Sequence, residues 1–153
     1  MRNAARRIDG KLSLPLFNLP GTVVGDGTTP SLAERNLIRG KRLGLPSGQD
    51  VARRMGITPL TNAQLGLPDP QNPGWQGKAP LWYYLLKEAE LTHAGQRLGA
   101  VGGRIVTEVV LGILDADKNS YLRAGPGFRP AAPIAPAGQF RAGDLLKFAL
   151  GYA

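Results

Sequence analysis

Glycine and proline punctuation constrains this chain more than any other feature. Of 153 residues, 21 are Gly and 13 are Pro. Together they make about 22% of the chain, just below the level at which disorder becomes the default expectation. Pro fixes φ and removes a backbone donor, and Gly costs a helix interior about 1 kcal/mol relative to Ala. Regular elements must therefore fit into the windows that these residues leave. Period-two alternation is nearly absent, so the windows predict helices and not strands. The expected fold class is mainly α, with short helices joined by long irregular loops.

The windows fall in a definite order. Residues 1–30 read as an extended arm. Leu12, Leu14, Leu16, Phe17 and Leu19 are apolar, but Pro15, Pro20, Pro30 and the Gly-Asp-Gly at 25–27 interrupt any element. Such an arm lies across another surface. Residues 31–56 predict two short helices. Ser31 followed by Glu34 forms a capping box, and Gly40 and Gly44 end that helix. Ser47, with Asp50 three residues on, starts a second that runs to Arg54 or Met55 before Gly56. Residues 57–79 read as a loop, with one turn over 62–65.

Residues 80–123 hold two core helices. Pro80 suits the first helical position, and Leu81 to Leu91 is a continuous helix-forming run. Gly99 to Ala116 is the longest periodic segment. Leu98, Val101, Ile105, Val109 and Ile113 follow three- and four-residue spacings, and Val106, Val110 and Leu114 widen the stripe. This helix is expected to be buried on more than one side. Residues 124–153 read as a linker followed by a terminal helix, Asp144 to Leu150.

Length and composition narrow the function classes. The length suits one domain with a real core. No run of eighteen apolar residues occurs, so no transmembrane helix is expected. The basic N-terminus lacks the apolar region of a secretory signal, which leaves cytoplasm as the default compartment. Cys is absent. That excludes disulfides, thiolate nucleophiles and Cys-based zinc sites from these residues. The net charge is +8, and it is uneven: residues 1–54 carry +6 and residues 55–153 carry +2. A basic segment suits an anionic partner, or a solvated face.

Several motifs resolve to ordinary structure. Asp115-Ala-Asp117-Lys-Asn119 opens like a calcium loop. Ser120 then stands where the loop needs Gly, and Pro126 where it needs a bidentate Glu, so a helix-terminating turn is expected. Gly99-Ala-Val-Gly102-Gly103 is glycine-rich like a phosphate loop. No strand precedes it and the spacing differs, so close helix packing is the better reading. His93 is the single histidine, and it sits where a cation near helix carbonyls is ordinary. Trp82, Tyr83 and Tyr84 read as core; few basic residues flank them, which disfavours nucleic acid.

The segment from Ser31 to Arg54 carries the most specific pattern. Leu32, Asn36, Arg39, Gly40, Gly44, Leu45, Pro46, Ser47 and Arg53 fit L-x-x-x-N-L-x-R-G-[RK]-x-x-G-L-P with its continuation. In this the chain resembles the animal-type haem peroxidase superfamily, especially its bacterial members. Pro15 to Pro20, Pro80 to Glu90, Arg97 to Glu108 and Leu114 to Leu122 resemble neighbouring segments of that family in the same order. The likeness covers nearly the whole chain.

The resemblance implies membership of the animal haem-dependent peroxidase fold, with haem as cofactor. It implies that Asn36 accepts a hydrogen bond from the histidine that ligates haem iron, which orients that ligand and raises its basicity. It implies that Arg39 holds a haem propionate, where a guanidinium supplies two parallel hydrogen bonds. The family's proximal histidine, distal histidine, distal arginine and calcium loop would all fall upstream of Met1. The expectation is a C-terminal portion that meets haem through an N-terminal portion or companion chain. In the full enzyme the partners are hydrogen peroxide and a small-molecule reductant. The portion alone is expected to lack peroxidase activity and, with an incomplete core, to favour self-association. The competing reading is a basic helical binding module that docks on an acidic protein. A membrane partner is not expected.

Overall fold

The computed structural model describes residues 6–20, 29–123 and 142–151. The described residues contain five α-helices and no strand: α1 Leu32–Arg42, α2 Gly48–Arg54, α3 Leu81–His93, α4 Ala100–Ala116 and α5 Ala142–Ala149. The mainly α expectation holds. Single 3-10 turns occur at Leu14–Phe17 and Pro73–Trp75. The expected linker over 124–139 lies outside the described residues. The chain divides into two compact units, residues 1–107 and 108–153.

The first unit follows its local signals closely. Ser31 Oγ accepts from the Glu34 amide at 3.3 Å and caps α1. The reciprocal arm of the expected capping box is replaced. The Glu34 carboxylate takes the Thr29 hydroxyl, and the Ser31 amide donates to Thr29 Oγ1 at 3.3 Å. Gly40 lies inside α1, and Gly44 ends it in the left-handed region at φ +62°. The Leu45 and Gly44 amides then reach back to the Gly40 and Lys41 carbonyls, the paired closure that a left-handed residue makes possible. Gly56, at φ +72°, ends α2 in the same way through the amides of Gly56 and Ile57. Ser47 caps α2 by accepting from the Asp50 amide at 3.1 Å. Pro80 stands one place earlier than expected, as the cap of α3 and not its first helical residue.

The core of this unit is small and made by α2, α3, the start of α4 and the 57–79 loop. Its buried members are Ala52, Leu65, Leu67, Ala79, Tyr84 and Val101. Tyr84 is 1% exposed and packs directly on Gly48. A Cβ at position 48 would overlap the Tyr84 Cβ and ring, so only Gly permits this α2–α3 approach. The Tyr84 hydroxyl accepts from the Leu60 amide at 3.0 Å, and the Tyr83 hydroxyl donates to the Leu65 carbonyl at 2.7 Å. These two side chains pin the loop that the sequence leaves irregular. The arm lies on the same unit. The Ile8 amide donates to the Gly95 carbonyl at 2.7 Å, and the turn at Leu14–Phe17 meets α1.

Helix α4 departs from expectation. Val101 and Gly102 in its first turn are buried and Ile105 packs against the core. Val106, Val109, Val110, Leu111 and Ile113 are 47–64% exposed. Apolar periodicity records what a helix could bury. It does not record how many neighbours its own chain supplies. In the second unit, Asp117 Oδ1 accepts from the Asn119 amide at 2.9 Å, and Asp115 pairs with Arg123 at 2.8 Å. The expected helix-terminating turn is therefore what residues 115–119 form.

Candidate functional site

Helix α1 positions the two residues that the sequence singles out. Asn36 and Arg39 are three residues apart, so they share one face of the helix. Both line an open groove of about 970 Å³, together with Arg35, Arg42, Leu19 and Thr29. Asn36 is half-buried, and Arg39 and Arg42 are exposed. Among the described residues, the side chains of Asn36, Arg35, Arg39 and Arg42 have no hydrogen-bond or ion-pair partner.

The charge balance of the groove follows from its hydrogen bonds. Among the described residues Glu34 is its one acidic lining residue, and the Thr29 hydroxyl already binds that carboxylate. Three guanidiniums thus face one engaged acid. The sequence singled out Arg39 alone; Arg35 and Arg42 were legible from their four- and three-residue offsets on the same helix. Arg39, Lys41 and Arg42 also occupy the last turn of α1. There they meet the negative end of the helix dipole, so the cluster is tolerated without a ligand.

The donor set decides what the groove could hold. Guanidiniums bind carboxylates through two parallel N–H bonds, and an uncommitted amide can accept an imidazole N–H. The groove therefore suits an anionic group such as a carboxylate. Its described lining residues include no histidine. Among the described residues there is no group of three His, Cys, Asp or Glu placed to hold a metal. His93 is the last residue of α3, half-buried, and is not part of the groove.

The glycine-rich start of α4 is a filled anion site. The Glu88 carboxylate, 3% exposed, accepts from the Val101 amide at 3.0 Å and the Gly102 amide at 3.1 Å. A Cβ at Gly99 would overlap the Glu88 side chain. The protein thus places its own carboxylate where a helix N-terminus would otherwise attract an anion. The close-packing reading of Gly99–Gly103 holds, and the reason is Glu88. The sequence carried a signal for it. Leu81, Tyr84, Glu88 and Leu91 follow the spacing of one helical stripe, and Glu88 is the charged member.

Comparison with protein-family models, curated proteins and solved structures finds no match to the chain.

Proposed function

We propose that this chain is the C-terminal portion of an animal-type haem peroxidase and that the α1 groove contacts the haem edge. The observation that carries this reading is that Asn36 and Arg39 line one groove with two further guanidiniums. When bound, haem supplies the peroxide-dependent oxidation of small reductants. The contribution of this chain is positional. Arg39, supported by Arg35 and Arg42, holds carboxylates by forked hydrogen bonds. The Asn36 amide oxygen accepts from the ligating imidazole, fixing its tautomer and raising its basicity. That imidazole comes from an upstream portion or a companion chain.

The test is a haemin titration followed by absorbance. The chain alone is expected to give no sharp histidine-type Soret band and no oxidation of guaiacol by peroxide. Together with a polypeptide bearing the histidine-containing segments, the band is expected, and Arg39→Gln weakens haem binding about tenfold. A sharp band or turnover from the chain alone would overturn the assignment of a missing ligand. Unchanged affinity in Arg39→Gln would remove its role.

The second reading is a basic module that docks on an acidic protein. The same open guanidiniums favour it. Its binding would weaken steeply with salt and would persist without haem.

A further inference from the structure

A second groove, of about 630 Å³, runs along an adjoining sector of α1 and gathers both tryptophans of the chain. Trp75, Trp82, Lys41, Lys78, Asn72 and Asp50 are among its lining residues. We propose that this groove is a binding site for a planar aromatic carboxylate. Asn36 and Ile38 line both grooves; the inference uses neither Asn36 nor Arg39, so it does not rest on the haem reading.

The Trp75 side of the aromatic wall is held in place before any ligand arrives. Trp75 packs on Tyr83 with ring centroids 5.2 Å apart and planes inclined at 53°. Tyr83 is fixed in turn by its bond to the Leu65 carbonyl. The Trp75 carbonyl accepts from the Lys78 amide at 3.0 Å, and Asn72 Nδ2 donates to Asp69 at 2.8 Å. The loop is therefore pinned on both sides of Trp75. Both tryptophans are half-buried, which leaves part of each indole open to the groove. Among the described residues neither indole N–H has a partner. A fixed indole at Trp75, with the half-open Trp82 lining the same groove, suits a flat ring.

The charge of the groove selects the second half of the ligand. Asp50 is engaged by Arg53 at 2.6 Å and by the Ser47 hydroxyl at 2.7 Å. Lys41 and Lys78 are exposed and have no ion-pair partner among the described residues. Two ammonium groups beside an aromatic wall favour a ring that carries an anion. The nearby start of α2 offers no nest for a phosphate. Its Gly48 and Asp50 amides already donate to the Ala79 carbonyl and Ser47 Oγ. A single carboxylate matches the donors that remain.

The two tryptophans make the site its own reporter. The full chain is titrated with para-hydroxybenzoate, following tryptophan emission and, independently, equilibrium dialysis. Para-hydroxybenzyl alcohol keeps the ring without the charge, and acetate keeps the charge without the ring. The expected result is saturable binding of para-hydroxybenzoate, at least about tenfold tighter than either comparator. The double variant Lys41→Gln/Lys78→Gln, with unchanged circular dichroism, is expected to lose about tenfold in affinity. Trp82→Leu is expected to weaken dialysis binding as well as remove a reporter. Non-saturable quenching, equal binding of the neutral alcohol, or unaltered binding by the lysine double variant would each overturn the proposal. Tight binding of acetate alone would overturn the aromatic half of it.

Discussion

Removing the Glu88 carboxylate is the sharpest test of how this fold is held together. Glu88 is 3% exposed and accepts from two amides in the first turn of α4, at 3.0 and 3.1 Å. Hydrogen bonds to a charged group contribute roughly 1.5–3 kcal/mol each, and a carboxylate at a helix N-terminus gains from the dipole as well. Desolvating the carboxylate offsets part of that gain. Glu88→Ala leaves both amides facing a void, so the expected loss is about 3–5 kcal/mol. Glu88→Gln keeps the shape, but its NH2 group confronts an amide donor; the expected loss is about 2–3 kcal/mol. Against a total of roughly 5–15 kcal/mol, either variant is severe. Urea unfolding followed by circular dichroism measures both. Glu90→Gln is the control, because its ion pair with Lys87 is partly exposed and contributes less than about 1 kcal/mol. A further arm adds acetate to Glu88→Ala. A carboxylate that enters the vacated site stabilises it by mass action, roughly 2.7 kcal/mol at a hundredfold excess over its dissociation constant. Glu88→Ala costing less than about 1 kcal/mol, or Glu88→Gln matching the parent chain, would refute the reasoning.

Two further predictions concern the α2–α3 contact. Gly48→Ala is expected to destabilise by about 1–3 kcal/mol in thermal or urea unfolding, because the added methyl overlaps Tyr84; Gly74→Ala, where a Cβ meets nothing within 4 Å, is the neutral comparison. Burial raises the Tyr84 hydroxyl above its ordinary value; the Leu60 amide opposes this, and Glu88 adds to it. The neutral phenol is then favoured in the folded state, so stability is full below the unfolded value, about 10, and falls as pH rises above it. Tyr84→Phe should lower stability at neutral pH by about 1–2 kcal/mol, through the unpaired Leu60 amide, and flatten the alkaline decline in a pH series of urea melts.

The parts of this fold that were legible in the sequence are those whose cause lies within a few residues. Ser31 and Ser47 cap helices through amides three positions on. Gly44 and Gly56 end helices because each adopts positive φ. Asp117 turns the chain after α4 through the Asn119 amide. The α1 face carrying Asn36 and Arg39 was legible for the same reason, since helical geometry alone places residues three apart on one side. The capping box failed in detail because Thr29, upstream of the motif, intercepted the Glu34 carboxylate.

Tertiary structure decided what depends on distant partners. Glu88 is a capping residue only because its side chain reaches α4, 13 residues further along. Position 48 must be Gly only because α3 brings Tyr84 against it. The Val and Ile stripe of α4 predicted burial on several sides, yet most of its length stays exposed. Hydrophobic patterning states a preference, and burial needs a neighbour to meet it. The sequence by itself therefore determined where the helices begin and end and which α1 residues share a face. Packing alone determined which carboxylate is buried, which glycines are obligatory, and how two lysines and two tryptophans come to line one groove.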